Sequence, residues 1–256
     1  MRAREQVQVS IADYVGTIIL SRPPHNFVNV ELMAALVDCL QDLDTDEDCR
    51  VIVLGTDGKN FCAGADFSGI ETGMGFVDSA KLYTQAMRLF DTRKPIVAAV
   101  QGAAVGAGAG LALTADFRIA CASTRFVFNF NSLGFHPGFG LSYTLPRLVG
   151  TQIAARLFYT GDRVSGEEAL AIGLADELAP EGEVRQRAQA LALRIAQAAP
   201  RAVESTRETL RQGFAKDVRA FNAREQELQQ VQFASEDFRE GIKAAAERRL
   251  PVFRGT

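Results

Sequence analysis

Cysteine and histidine are scarce in this sequence of 256 residues, which contains four cysteines and two histidines. The cysteines are far apart and form no CxxC pair, so neither a disulfide framework nor a zinc site of common spacing is indicated. Cys62 lies beside a glycine loop, but no histidine is near it in sequence, and we expect a small buried thiol instead of a nucleophile. The sequence therefore predicts no metal site and no inorganic cofactor.

Long apolar runs and an excess of charge of one sign are also missing. No apolar run approaches the roughly 20 residues of a membrane-spanning helix, and the first eight residues are polar where a secretory signal would be apolar. A net charge of -3 with 23% charged residues gives no broad basic surface for nucleic acid. We expect a cytoplasmic protein that binds neither nucleic acid nor a membrane.

Strand and helix patterns alternate through the first 141 residues. Short apolar runs predict strands at 6–10, 14–20, 50–55, 95–100, 116–121 and 126–130, and helical periodicity predicts helices from residue 30, at 76–90 and around residue 111. This alternation predicts an α/β fold with an open sheet and with ligand sites at the loops that leave the strands. Beyond residue 142 every segment reads as an amphipathic helix, and the surplus of apolar residues predicts packing against another subunit.

The segment QGAAVGAGAGLALTAD, residues 101–116, is the strongest local signal. It leads from a buried strand through closely spaced glycines into an apolar helix. Glycine allows a ligand to approach the backbone, and the free N–H groups at a helix N-terminus favour negative charge. The Lys-Ser/Thr ending of a phosphate-binding loop is absent, so an oxyanion is favoured over a nucleotide.

Four segments together resemble the crotonase, or enoyl-CoA hydratase/isomerase, superfamily. They are LSRP at 20–23, KNFCAGAD at 59–66, the segment 95–116, and TGDR at 160–163 with EA at 168–169 and GL at 173–174. The resemblance covers almost the whole chain. It implies a crotonase-like spiral of ββα units over residues 1–197 and a C-terminal helical trimerisation region over residues 198–256. It also implies a homotrimer or dimer of trimers that takes an acyl-CoA thioester, with coenzyme A as part of the substrate.

The resemblance implies a backbone oxyanion hole for the thioester carbonyl. The residues at the matching positions are Ala63 and Ala107, whose N–H groups would stabilise an enolate as it forms. Removing one such donor in other oxyanion holes costs about 10²–10³ in rate.

The carboxylates that hydratases and isomerases of this family use are missing. Gly110 and Phe130 stand where hydratases have two glutamates, and Gly138 stands where other members have an aspartate. General acid and base groups contribute about 10²–10⁴-fold, so efficient hydration is not expected. Two functions stay open, an acyl-CoA-handling enzyme that stabilises a thioester enolate and a non-catalytic long-chain acyl-CoA binding protein on the same fold.

His136 is the remaining candidate for proton transfer, and it has two interpretations. It could act as an acid or base, or it could cap its loop by bonding a backbone carbonyl. Phe126, Phe128 and Phe130 alternate along one face of a predicted strand, a pattern more typical of plain core, but we expect at least Phe130 to line the acyl cavity, where a wide apolar wall would favour a long-chain or aromatic acyl group. The resemblance assigns substrate binding, including CoA phosphates at Arg22, to a set of residues around the loops: Arg22, His25, Gly64, Ala65, Asp66, Gly106, Gly110, Phe130 and Gly138.

Overall fold

The computed structural model describes residues 2–66 and 75–256, with the backbone alone at residues 2 and 75–78. Its strands are β1 (Val7–Ala12), β2 (Val15–Leu20), β3 (Val51–Thr56), β4 (Ile96–Ala99), β5 (Ala103–Val105), β6 (Phe117–Ala120), β7 (Arg125–Val127), β8 (Arg163–Ser165) and β9 (Glu177–Leu178). Its helices are α1 (Arg2–Glu5), α2 (Val30–Thr45), α3 (Gly75–Ala86), α4 (Ala107–Thr114), α5 (Leu141–Val149), α6 (Thr151–Thr160), α7 (Gly166–Ala171), α8 (Val184–Ala196), α9 (Pro200–Leu210), α10 (Phe214–Gln232) and α11 (Glu236–Glu247). The α/β class that the sequence predicts is confirmed.

The large sheet has the strand order β1-β2-β3-β4-β6-β9, in which only the β1–β2 pair is antiparallel. Strand β3 is buried at every position because both faces of the sheet are covered. Val51 and Val53 belong to the core under α8, whereas Ile52 and Leu54 belong to the larger core on the opposite face. Continuous apolar runs in the sequence therefore mark the central strands.

A second, smaller layer of strands lies beside the large sheet and carries the candidate site. It has the order β5-β7-β8 and is extended by isolated bridges from Cys62 to Ala104 and from Val28 to Ala65. The chain thus repeats one pattern: a strand in the large sheet, a short extended segment in the second layer, then a helix. Successive repeats are β3 with 62–65 and α3, β4 with β5 and α4, and β6 with β7 and α5. This is the ββα repeat that the resemblance implies.

The predicted strand at 126–130 is wrong in its second half. The strand ends at Val127, and the chain continues through a turn into a single 3-10 turn at Asn131–Leu133. The alternating rings of Phe126, Phe128 and Phe130 are all buried, but a turn as well as a strand can place alternate side chains in a core. The sequence analysis also missed β5, β8 and β9, which are two or three residues long and too short to show a period.

The last helices cover the ends of the repeats. Helix α8 packs across β3, β4 and β6, α10 packs against α5 and the 3-10 turn at Met87–Asp91, and α11 packs against the turn at Asn131–Leu133. Several large apolar side chains of this region are exposed, with Leu210 at 75% and Val231 at 74%. Among the described residues, none of the helices combines the length and the apolar character that crossing a membrane requires.

Candidate functional site

The two glycine loops are held side by side by backbone hydrogen bonds. Cys62 N–H donates to the Ala103 carbonyl and Val105 N–H donates to the Cys62 carbonyl, each at 3.0 Å. Helix α4 then starts directly over this segment, and a Cβ added to Gly108 would lie 2.1 Å from the Cys62 carbonyl oxygen. Only a residue without a side chain permits this approach, so Gly108 fixes the N-terminus of α4 against residue 62.

The N–H group of Ala107 is open at the start of α4. The first N–H groups of a helix have no partner within the helix, and Gly106, the N-cap, provides no capping side chain. Gly106 has φ 51° and gives its own N–H to the Val127 carbonyl at 2.9 Å. No acceptor for the Ala107 N–H occurs among the residues that the structure describes.

The N–H group of Ala63, the other predicted donor, is already engaged. It donates to the backbone carbonyl of His25 at 3.0 Å, which leaves it without a proton for a thioester oxygen. In the same loop, the Gly64 carbonyl accepts from the N–H of Val28, and the N–H of Asp66 donates to the Val28 carbonyl, each at 2.9 Å. The N–H of Ala65 has no acceptor within the described parts of the chain. In this loop the open donor is therefore the N–H of Ala65.

A phenylalanine ring fills the space where the first hydratase glutamate would stand. A Cβ built on Gly110 would lie 2.6 Å from Cγ and 2.7 Å from Cδ1 of Phe139. Phe139 is fully buried and has φ 68°, a backbone conformation that is rare for a residue with a side chain. Position 110 therefore cannot hold a longer side chain while Phe139 keeps this place.

The position of the predicted aspartate is filled from two distant helices. A Cβ on Gly138 would lie 2.3 Å from the hydroxyl oxygen of Tyr83 on α3 and 2.6 Å from Nε2 of Gln229 on α10. The second hydratase position, Phe130, is 4% exposed and packs edge-on against Phe135 at 5.5 Å between ring centroids. All three carboxylate positions are thus occupied by packed groups.

His136 forms the loop contact that the sequence analysis offers as one of its two interpretations. Its Nδ1 lies 2.8 Å from the Pro137 carbonyl oxygen, and helix α10 fixes the surrounding backbone. The side chain of Gln232 accepts from His136 N–H at 2.7 Å, and Gln229 donates to the His136 carbonyl at 2.8 Å. If Nδ1 carries a proton and donates it to the Pro137 carbonyl, Nε2 is unprotonated and keeps its lone pair. The ring is partly buried.

Arg22 and Asp66 join the 22–27 segment to the glycine loop at 59–66. The guanidinium of Arg22 donates to the Asp66 carboxylate at 2.7 Å and to the Phe27 carbonyl at 2.6 Å. Both side chains are about one quarter exposed, at 26% and 24%. His25 is exposed, with Nδ1 3.4 Å from the Asn60 side-chain nitrogen. The assignment of these residues to CoA binding stays a prediction.

Glu225 shapes the site although no sequence signal singles it out. Its carboxylate accepts from the N–H groups of Gly140 at 2.7 Å and Ser142 at 2.9 Å, and from the Ser142 hydroxyl. These donors begin α5, which has no side-chain cap of its own. Burial raises the pKa of Glu225 despite the three donors. In the sequence it is one of several charged residues in an amphipathic helix.

The described residues provide little other chemistry. They contain no group of three or more His, Cys, Asp and Glu side chains that could hold a metal ion. Burial raises the pKa of the Cys62 thiol to about 12, so the thiol stays protonated at neutral pH.

Comparisons with known proteins agree with the fold. A family model described as enoyl-CoA hydratase/isomerase matches residues 10–256. The chain is 34% identical to a probable enoyl-CoA hydratase of Bacillus subtilis, covering 97% of this chain and 98% of that protein. It is 31% identical to 1,2-epoxyphenylacetyl-CoA isomerase of Escherichia coli, covering 94% and 95%. The crystal structure of carnitinyl-CoA hydratase from Mycobacterium avium superposes with a TM-score of 0.88 at 30% identity, covering 98% of this chain and 99% of that one.

Proposed function

Because the chain belongs to the enoyl-CoA hydratase/isomerase family, we propose that it binds an acyl-CoA and holds the thioester oxygen between the N–H groups of Ala65 and Ala107. The observation that carries the proposal is the pair of abutting loops, each with one N–H that has no acceptor among the described residues. Two fixed donors stabilise an oxygen most when it gains negative charge. The reaction is therefore one that passes through a thioester enolate.

Hydration is expected to be slow. A hydratase must position a water and move its proton, and positions 110, 130 and 138 carry no carboxylate for this work. His136 is the proposed acid or base, because its bond to Pro137 through Nδ1 would leave Nε2 able to exchange a proton with substrate. An isomerase-type proton shift needs one such group, which favours isomerisation over hydration here.

Helix α4 allows a direct test of the Ala107 donor. Proline is well tolerated at the first position of a helix, so Ala107→Pro removes the N–H with little cost to folding. We expect kcat/KM for an acyl-CoA substrate to fall about 10²–10³-fold, whereas Ala107→Gly, which keeps the N–H, stays within a few fold of wild type. Equal activity of the two variants would contradict the proposal.

The same substitution separates the two candidates in the neighbouring loop. Ala65→Pro removes an N–H that bonds no described residue, so we expect a folded protein that has lost activity. Ala63→Pro removes the bond to the His25 carbonyl, and we expect a lower melting temperature. A folded, inactive Ala63→Pro protein beside an active Ala65→Pro protein would return the donor role to Ala63.

A second candidate function is a non-catalytic acyl-CoA binding protein. It is favoured by the buried Phe139 ring, which occupies the space of a catalytic side chain at position 110. Turnover assays with crotonyl-CoA and longer enoyl-CoAs, run beside calorimetric titration of the matching saturated acyl-CoAs, distinguish the two functions. Binding without turnover supports the binding protein, and turnover that His136→Ala abolishes supports the enzyme.

We further propose that the protein assembles as a trimer through its C-terminal helices, or as a dimer of trimers. The exposed apolar side chains of α9 and α10, Leu210 and Val231, together with Leu250 at 87% and Val252 at 67% near the C-terminus, support an interface in this region. Sedimentation equilibrium gives the mass of the assembly directly. A monomer at micromolar concentration would contradict this proposal.

A further inference from the structure

Helix α10 carries three polar side chains on one face, those of Glu225, Gln229 and Gln232. Their spacing of four and then three residues places them in one stripe along the helix. All three side chains bond the backbone of a single segment, residues 136–142. Glu225 and Gln229 are each 1% exposed, so these bonds lie in the interior. Because an unpaired buried polar group is costly, such bonds fix the backbone that they reach.

His136 receives two of these side chains on its main chain. Oε1 of Gln232 accepts from the His136 N–H at 2.7 Å, and Nε2 of Gln229 donates to the His136 carbonyl at 2.8 Å. Residues 136–138 have no regular secondary structure of their own. The peptide groups on both sides of His136 are therefore held by α10.

The ring contact of His136 depends on this backbone. Nδ1 lies 2.8 Å from the carbonyl oxygen of Pro137, the next residue in the chain. Proline fixes its own φ at about −65°, so the ψ angle of His136 largely decides where that carbonyl lies relative to the ring. The same ψ angle orients the His136 carbonyl, which Gln229 holds. The amide of Gln229 thus controls the contact between the ring and Pro137.

This contact selects one form of the ring. In a neutral histidine, the hydrogen bond that one ring nitrogen makes decides which nitrogen carries the proton. A carbonyl oxygen can only accept, so the contact with Pro137 favours the tautomer with the proton on Nδ1. Nε2 then keeps the lone pair that a base requires.

The His136 loop lies close to the N-terminus of α4. A Cβ built on Gly106, the N-cap of this helix, would lie 3.7 Å from Cζ of Phe130. The Phe130 ring packs edge-on against Phe135, the residue before His136, at 5.5 Å between centroids. Two side-chain contacts therefore connect this loop to the helix end that carries the Ala107 donor. In an active site, a misplacement of about 1 Å can cost about 10²-fold in rate.

We propose that Gln232 and Gln229 are positioning residues, which hold His136 in the orientation and tautomer that leave Nε2 able to exchange a proton with the substrate. The inference rests on the proposed function, in which His136 is the acid or base. Catalytic bases are commonly oriented by a third group that bonds the ring. Here two amides, 96 and 93 residues further along the chain, act on the backbone of the base.

The first test separates turnover from binding. Gln232→Met removes the acceptor for the His136 N–H and keeps the length of the side chain. We expect kcat for an enoyl-CoA to fall about 10-fold to 10²-fold, while the affinity for the matching saturated acyl-CoA, measured by calorimetry, changes less than about threefold. Gln232→Glu keeps an acceptor oxygen and should restore kcat to within about threefold of the wild type.

Gln230→Met is the matched control for this comparison. Gln230 is exposed on the same helix and bonds none of the described residues, so kcat should stay at the wild-type value. A general structural role of Gln232 would lower kcat and affinity together, and Gln232→Glu would not restore them. Either that pattern or an unchanged kcat in Gln232→Met would overturn the inference.

Nitrogen NMR of the histidine rings reports the tautomer directly and needs no turnover. The chain has two histidines, so His136→Ala assigns both sets of signals. We expect neutral His136 to carry its proton on Nδ1 in the wild type and to become a mixture of tautomers in Gln232→Met and in Gln229→Met, with the signals of His25 unchanged. A wild-type proton on Nε2, or the same tautomer in all three proteins, would overturn the inference.

Failure of the proposed function gives a different result. A wild type that binds acyl-CoA and converts no enoyl-CoA would show that His136 transfers no proton, and the enzymatic function and the inference would then fall together. A wild type that converts an enoyl-CoA while His136 carries its proton on Nε2 would overturn the inference alone.

Discussion

The contact between Gly110 and Phe139 predicts a strong coupling between two substitutions. Alanine favours a helix interior over glycine by about 0.8–1.0 kcal/mol. A Cβ at position 110 would, however, lie 2.6 Å from Phe139 Cγ, and overpacking of this kind costs about 1–3 kcal/mol. We therefore expect Gly110→Ala to destabilise the wild type by up to about 2 kcal/mol.

Removing the ring should reverse the sign of that effect. Phe139→Ala alone costs about 3–5 kcal/mol because it leaves a cavity. In this background Cγ and Cδ1 are gone, the residual contact with Phe139 Cβ at 2.9 Å needs only a small shift, and Gly110→Ala should stabilise. The coupling energy, the difference between the two backgrounds, equals the relieved overpacking of about 1–3 kcal/mol.

Urea denaturation of the wild type, both single variants and the double variant measures this coupling. All four proteins are compared at one concentration, because any subunit association makes stability concentration-dependent. A coupling energy within about 0.5 kcal/mol of zero, the range of independent sites, would refute the argument that Phe139 occupies the side-chain space of position 110. The corresponding Gly110→Glu/Phe139→Ala protein should hydrate crotonyl-CoA faster than Gly110→Glu alone.

Two other substitutions test the arrangement of the site. Gly108→Ala places Cβ 2.1 Å from the Cys62 carbonyl oxygen, which is backbone and cannot move aside as the ring beside Gly110 can. The two loops must therefore separate by about 1 Å, and we expect kcat/KM to fall about 10²-fold. Near-normal kinetics would contradict this. Burial raises the pKa of Glu225 above its ordinary 4.5, so the folded state holds the carboxyl proton more tightly than the unfolded state does. The stability that this proton contributes is greatest at low pH and is lost as the pH rises through the raised pKa. Unfolding free energies measured from pH 4 to 8 should decline less steeply in Glu225→Gln, and parallel curves for the two proteins would contradict the assignment.

The sequence predicts the five longer strands of the large sheet, β1 to β4 and β6, and misses only the two-residue strand β9. Strands β3 and β4 have both faces buried, and their sequences leave few alternatives. Most of the second layer escapes prediction because β5, β7 and β8 are only three residues long, and their partners, such as Cys62 for Ala104, are distant in sequence. Only the tertiary arrangement pairs them.

The candidate site is predictable as a set of loops but not as a set of bonds. The motif at 59–66 locates the loop, yet the bond from Ala63 to the His25 carbonyl depends on a segment almost 40 residues earlier. The sequence shows that the carboxylates are absent, but it does not show which groups occupy their space. Tyr83 and Gln229 meet Gly138 from two helices whose sequences carry no motif.

Gly64 gives the segment 61–66 a local irregularity with a chemical consequence. The N–H groups of Ala63 and Asp66 both bond the 25–28 segment, three residues apart, whereas a regular strand repeats this direction every two residues. The two acceptors, His25 and Val28, are also three residues apart, so both segments depart from regular strand geometry, and Gly64 with a φ of 114° turns the chain between the two donors. The open donor at Ala65 is thus produced by a kink in the main chain and depends on no functional side chain at its own position.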